Sequence, residues 1–187
     1  ADDPLTLVVV KEGAYPYNYI TNKQAQEKSE ELATGGRTSS LMFGIQWDLV
    51  LKYIETKSEK TQADLKDNSI TWGNYANATF DITRGKYSED NGDSFTDVSE
   101  KYTKAKYEFI MLTTGATERN SVLNIYDLAG NLNEWTLEQY TIRSNIHPCT
   151  YRGGYYFNDS SNEPASGRKF NTTSVRDKMY GFRPALW

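Results

Sequence analysis

Tyr126-Asp127-Leu128-Ala129-Gly130-Asn131-Leu132-Asn133-Glu134-Trp135 places two apolar runs on either side of a turn. The runs are expected as strands over residues 126–128 and 133–137. Between them Gly130 accepts backbone angles, or a close approach by another segment, that a Cβ would forbid. Trp135 is the kind of side chain that fills a core. Asp127 and Glu134 bracket the turn, and oxygen ligands on a tight turn suit calcium. The same two residues have a second reading, in which Asp127 caps the turn and Glu134 is the buried partner of an arginine.

Two later segments carry the same kind of information, Tyr151-Arg152-Gly153-Gly154-Tyr155 and Gly181-Phe182-Arg183. Their arginines can be paired inside a core, and their glycines permit tight turns. Further strands are expected over 109–113, 150–152, 155–157 and 181–184. Upstream, the β-branched run 5–10 predicts an opening strand. Thr21 and Gln24 have capping-box spacing, so a helix is expected over 22–33, stopped by Gly35-Gly36. A second helix is expected over 40–56, because Phe43, Trp47, Val50, Leu51 and Ile54 form one apolar stripe with Asp48, Lys52 and Glu55 opposite. Residues 57–107 are polar, with isolated Trp72, Tyr75, Phe80, Tyr87, Phe95 and Tyr102. They read as long loops pinned by single aromatic anchors, since a disordered linker would hold few aromatics. No internal repeat is visible. The sum is an α+β domain with two helices and short antiparallel strands.

The 187 residues suffice for one sizeable domain, taken as 1–187. Aromatic residues make up 13%, against one histidine, His147, and one cysteine, Cys149. That scarcity excludes a multi-histidine metal centre, a zinc site rich in cysteine, a disulfide framework and a redox cysteine pair. His147 precedes Pro148 in a loop-like stretch, 143–148, and is expected to be solvated rather than to orient a catalytic serine. A net charge of −4 disfavours nucleic acid as a partner. No apolar run approaches the roughly 20 residues of a membrane helix. The first residues lack the charged and apolar regions of a signal peptide, so the chain is expected to begin as mature protein.

The order and spacing of the three segments resemble the formylglycine-generating-enzyme (sulfatase-modifying factor) domain, with its "GN-x-x-EW" turn, "RGG" strand and closing "GFR". The likeness covers roughly residues 40–187, with Phe43-Gly44-Ile45-Gln46-Trp47-Asp48 resembling the early helix of that family. It implies a C-type lectin-like fold with long irregular loops. Catalytic members carry two cysteines six and eleven residues beyond the "RGG" arginine. Those positions here are Asn158 and Glu163, which supply no thiolate, so formylglycine generation is not expected. Iron-dependent relatives need several histidines. No catalytic residue and no catalytic cofactor is therefore assigned. The resemblance also implies a structural calcium held by the Asp127 side chain, the Gly130 and Leu132 carbonyls and the Glu134 carboxylate.

Between Gly154 and Gly181 the chain is dense in Tyr, Asn, Ser and Gly, a composition that recurs in evolved binding surfaces. Placement and composition resemble the variable proteins of diversity-generating retroelements, in which an adenine-rich region between the "RGG" and "GFR" segments is mutated. This implies a diversifiable ligand face over about 151–184, with Tyr155, Tyr156, Phe157, Asn158, Asp159, Ser161, Asn162, Arg168 and Asn171 as ligand-binding residues. The expected function is non-catalytic recognition, of a protein in preference to a sugar, since Glu163-Pro164-Ala165 lacks the third residue of a sugar motif. The expected setting is extracellular, on a bacterial surface or phage virion, within a larger assembly. The alternatives are an enzyme of the resembled family with an atypical centre, a structural pilus or tail domain, and an ordinary polar loop without a ligand.

Overall fold

The computed structural model describes residue 8, residues 11–142 and residues 146–187. Apart from Val8, the expected opening strand over 5–10 lies outside the described residues, as do 143–145 of the loop before His147.

Thr21 and Gln24 make the reciprocal capping box that starts α1 (Asn22–Glu30). The helix ends three residues before the expected stop, because Leu32 and Ala33 donate to carbonyls only three residues back and tighten the last turn. β1 (Ser39–Leu41) takes residues expected in the second helix, since it pairs with the far end of the chain, β13 (Pro184–Leu186). α2 therefore begins later and covers Gly44–Lys57, with Gln46 accepting the Phe43 N–H. Trp47, Leu51 and Ile54 are buried on its inner face, whereas Phe43 is exposed. A third helix, α3 (Gln62–Lys66), lies where only loop was expected; Thr61 and Asp64 cap it reciprocally.

The central sheet has four strands in the order β11 (Arg168–Asn171), β10 (Cys149–Arg152), β9 (Asn133–Gln139) and β12 (Tyr180–Phe182). Its pairs are antiparallel except β9 with β12, which run parallel. β2 (Phe80–Ile82) pairs with β5 (Tyr102–Lys104), and β3 (Lys86–Ser88) lies between β4 (Thr96–Asp97) and β6 (Met111–Leu112). β7 (Ser121–Val122) pairs with β8 (Ile125–Tyr126). Residues 155–157, expected as a strand, form a turn instead. Gly153 and Gly154 both have positive φ and steer the chain off the sheet after Arg152.

Large aromatic side chains bind these pieces together. Trp47, Trp72 and Trp135 are buried, and each indole N–H donates to a backbone carbonyl: Ala165 at 2.9 Å, Asp64 at 3.0 Å and Ile20 at 2.9 Å. The aromatic anchors expected in residues 57–107 hold their places. Trp72, Tyr75 and Phe80 are buried, Tyr87 stacks on Tyr102, and Phe95 meets Tyr15 edge to face. One core gathers around Trp47, Trp72 and Tyr75, and a second around Trp135 and Tyr180. No helix among the described residues is long and apolar enough to cross a membrane.

Candidate functional site

The turn at Gly130 is built by interlocking segments. Gly130 has φ +71°, and a Cβ there would overlap the Asn74 carbonyl oxygen. Its N–H donates to Gly153, and the Asn131 N–H donates to Asn74. The buried Asn131 side chain then acts as a strand partner: its Oδ1 accepts the Leu112 N–H at 2.9 Å and its Nδ2 donates to the Leu112 carbonyl at 3.1 Å. The turn thus joins the "RGG" strand, the loop at Asn74 and β6.

The two acids that bracket the turn have separate fates. Arg183 donates from Nε to Glu134 Oε2 at 2.9 Å and from Nη2 to Oε1 at 2.8 Å, and Nη2 also reaches the Tyr126 carbonyl. Asp127 is buried and accepts from the Gly115 N–H at 3.2 Å and from Asn120 Nδ2 at 3.4 Å. Burial raises the Asp127 carboxyl to about 6, and burial also raises Glu134, against the pull of Arg183. The donor set Asp127, Gly130, Leu132 and Glu134 as arranged does not fit calcium. Both Glu134 oxygens are committed to a guanidinium, whose charge would repel a cation placed between the two acids. Among the described residues no three of His, Cys, Asp and Glu gather as a metal site.

Arg152 is fully buried and bonded to Asp48 of α2, with a second bond to the Ser166 carbonyl at 3.1 Å. Arg168, expected on the ligand face, extends this network: it reaches Asp48 at 3.0 Å and Glu138 at 2.7 Å. Its guanidinium therefore fastens β11 to α2 and β9.

The loop after Gly154 divides the remaining expected ligand residues. Tyr156, expected on the ligand face, is instead fully buried, packed with Met111 and Leu132, and its hydroxyl donates to Asn91 Oδ1 at 3.0 Å. The turn that exposes its neighbours turns Tyr156 inward. Asn158 spends its side-chain oxygen on the Tyr155 N–H, and its carbonyl accepts from Ala76. Ser160 is buried and donates its N–H to Asn77 Oδ1 at 3.1 Å and its hydroxyl to Asn68 Oδ1. Phe157 is 47% exposed, Ser161 and Asn162 are exposed, and Tyr155 and Asp159 are half-buried. Asn171 donates to the Tyr180 hydroxyl at 2.8 Å.

Phe157 does not stand alone. Its ring stacks on Phe109 with centroids 3.7 Å apart, and Tyr155 lies parallel to it at 6.2 Å. Phe109 is 36% exposed, and Tyr107, also exposed, donates its N–H to the same Ala76 that holds Asn158. The structure so assembles an aromatic surface from two distant segments. Phe109 starts the strand expected over 109–113, and nothing in the linear sequence ties it to Phe157. Lys104 secures the loop beneath: its buried Nζ donates to the carbonyls of Tyr75, Ala76, Ala78 and Ala105 at 2.9–3.4 Å. His147, expected to be solvated, is half-buried with its ring 5.6 Å from Phe170. Cys149 is buried at the start of β10, and burial pushes its thiol up.

The fold and this face define an α+β domain in which a paired, buried frame carries an aromatic surface. By sequence, residues 9–186 match the sulfatase-modifying factor enzyme 1-like domain, and the chain belongs to that family. No curated protein matches it in sequence. Among solved structures it is similar to CarF, with 18% identity, a TM-score of 0.47, and coverage of 80% of this chain and 46% of that one. It is also similar to Treponema denticola variable protein 1, with 15% identity, a TM-score of 0.43, and coverage of 80% and 48%. The chain spans about half the length of each.

Proposed function

We propose that this chain is a non-catalytic recognition domain whose ligand face is the loop from Tyr155 to Asn162 together with Phe109. One observation carries the reading. The two positions where catalytic relatives keep their thiols hold Asn158, whose oxygen is bonded within its own turn, and Glu163, while the one thiol, Cys149, is buried in the sheet. Beside them lies a stacked, exposed aromatic pair. Stacked aromatics offer large contact area at little entropic cost, and the exposed Ser161 and Asn162 adapt their hydrogen bonds. Such a surface suits a protein partner. The setting is an extracellular one, a bacterial surface or phage virion, where a changeable face has use.

The division between frame and face supports diversification as well. Tyr155, Phe157, Asp159, Ser161 and Asn162 have side chains that can change without breaking a hydrogen bond the frame depends on, whereas the hydroxyls of the buried Tyr156 and Ser160 donate to Asn91 and Asn68. The test is to sequence the encoding locus across isolates beside any nearby template copy. Adenine-specific replacements should concentrate at codons 155, 157, 159, 161 and 162 and spare 156 and 160. Replacements spread evenly across these codons, or no adenine bias, would overturn the reading.

A further inference from the structure

Between β5 and β6 the chain makes a tight turn over residues 105–108, closed by the Glu108 N–H, which donates to the Ala105 carbonyl at 3.2 Å. Tyr107 is its third residue and has φ +65°. A positive φ at that place belongs to glycine or asparagine, and for a bulky side chain it is strained. Among the described residues Tyr107 is the one aromatic that is both exposed and in this conformation. Its surroundings hold it there. Glu108 Oε2 accepts the Ala105 N–H at 2.7 Å and the Tyr102 hydroxyl at 3.2 Å. The Ala105 carbonyl also takes Lys104 Nζ at 3.2 Å, and the Tyr107 N–H reaches the Ala76 carbonyl at 2.6 Å.

A turn needed only to join two strands would carry Gly or Asn and no strain. Burial gives little back, since Tyr107 is 54% exposed. Strain that a fold retains without a packing reward points to a use for the side chain it presents. The position fits such a use. Ala76 donates to the Asn158 carbonyl and accepts from Tyr107, so one residue fixes Tyr107 beside the loop of the ligand face, and Phe109 follows two residues on. Lys106, also exposed, holds its ammonium 4.9 Å from the centre of the Tyr107 ring. It forms no ion pair among the described residues, and Glu108, the acid of the same turn, is engaged by the Ala105 N–H and the Tyr102 hydroxyl. On a chain of net charge −4, this edge of the face offers a ring and an uncommitted cation.

We propose that Tyr107 and Lys106 are a fixed part of the ligand face and bind, on a protein partner, a carboxylate side chain next to an apolar one. The ring takes the apolar group and the ammonium takes the acid. This rests on the recognition reading above and names the chemistry of its ligand. Residues 106–109 lie outside the segment that changes, so the ligands of this face share an acidic and apolar element while the loop 155–162 reads the rest.

The probe is N-acetyl-tryptophan, an indole beside a carboxylate, with N-acetyl-tryptophan amide as the neutral control, titrated into the whole domain by NMR. N-acetyl-tryptophan should saturate in the millimolar range and shift the Tyr107 and Phe109 ring resonances. It should bind about threefold tighter than the amide, the worth of one exposed ion pair. Lys106→Gln should bring the two probes level with an unchanged melting curve. Tyr107→Asn, which suits the positive φ, should melt no lower than the parent and weaken both probes about fivefold. No saturation, a carboxylate preference that survives Lys106→Gln, or undiminished binding by Tyr107→Asn would overturn the proposal. A Tyr107→Asn melting point several degrees below the parent would overturn it too, because the ring would then serve the fold. Adenine-biased replacement at codons 155, 157, 159, 161 and 162 would in each case leave the recognition reading standing, so the two failures are separable.

Discussion

Replacing Lys104 by methionine tests whether a single buried ammonium holds the floor of the ligand face. The Nζ sits 3.0 Å from the Tyr75 carbonyl, 3.4 Å from Ala76, 2.9 Å from Ala78 and 3.2 Å from Ala105. Burial pulls its pKa down to about 8, so at pH 7 it is an ammonium. Methionine fills similar space and donates nothing. Three of the four carbonyls keep another donor, from Ala78, Tyr107 and Glu108, which leaves Ala78 as the stranded acceptor. One stranded carbonyl costs about 1–3 kcal/mol, and the weakened bonds to the other three add to it, against the relief of no longer burying a charge. The net expectation is a loss of about 2–4 kcal/mol, or a Tm lowered by roughly 5–15 °C. Because Ala76 also holds Asn158 and Asn77 holds Ser160, amide exchange should quicken across residues 155–160 more than in β9. Thermal melting and hydrogen exchange read both effects. A variant as stable as the parent, with exchange unchanged at 155–160, would refute the reasoning and show that desolvation of the ammonium outweighs its four carbonyls.

Other perturbations have defined outcomes. Gly130→Ala combines a positive φ with overlap of the Asn74 backbone and should abolish soluble folded protein, read by circular dichroism. For Asp127, whose carboxyl is raised to about 6 by burial, the folded state holds a proton that the unfolded chain has released. Its contribution is therefore fully present below the ordinary carboxylate pKa and is lost as pH rises through about 6, so denaturant titrations should show the parent gaining on Asp127→Asn as pH falls from 7 to 4. Phe157→Ala should cost only about 1 kcal/mol, since it removes one half-exposed ring and its stack on Phe109, whereas Tyr156→Ala should cost about 3–5 kcal/mol; chemical denaturation separates them. A chelator should leave the midpoint of melting unmoved, because Arg183 occupies Glu134; a drop of several degrees would mean that a metal takes that carboxylate instead.

Local chemistry made much of this legible in advance. The Thr21 and Gln24 capping box, the apolar stripe of α2 and the glycines of the turn segments are short-range signals, and each stands as expected apart from end positions. What the residues could not announce was long-range pairing. β1 displaced the start of α2 only because residues 184–186 come back to pair with it. β12 runs parallel to β9 for a similar reason, a crossover that no local pattern encodes. The missed α3 did carry a signal, Thr61 and Asp64 at capping spacing before Leu65, but five residues make no periodicity. At the ligand face, composition marked the right segment without saying which side chains face out. Tyr155, Tyr156 and Phe157 are alike in sequence, and one turn divides them into half-buried, buried and exposed. Phe109 enters the face solely through the fold.

The central claim is that a rigid frame carries a face free to change. Two display libraries measure it directly under protease challenge, one randomised at 155, 157, 159, 161 and 162, the other at 156, 160 and 165. Most members of the first should resist protease as the parent does, and few of the second should, because Tyr156, Ser160 and Ala165 are wholly buried. Equal loss of resistance in both libraries would contradict the account.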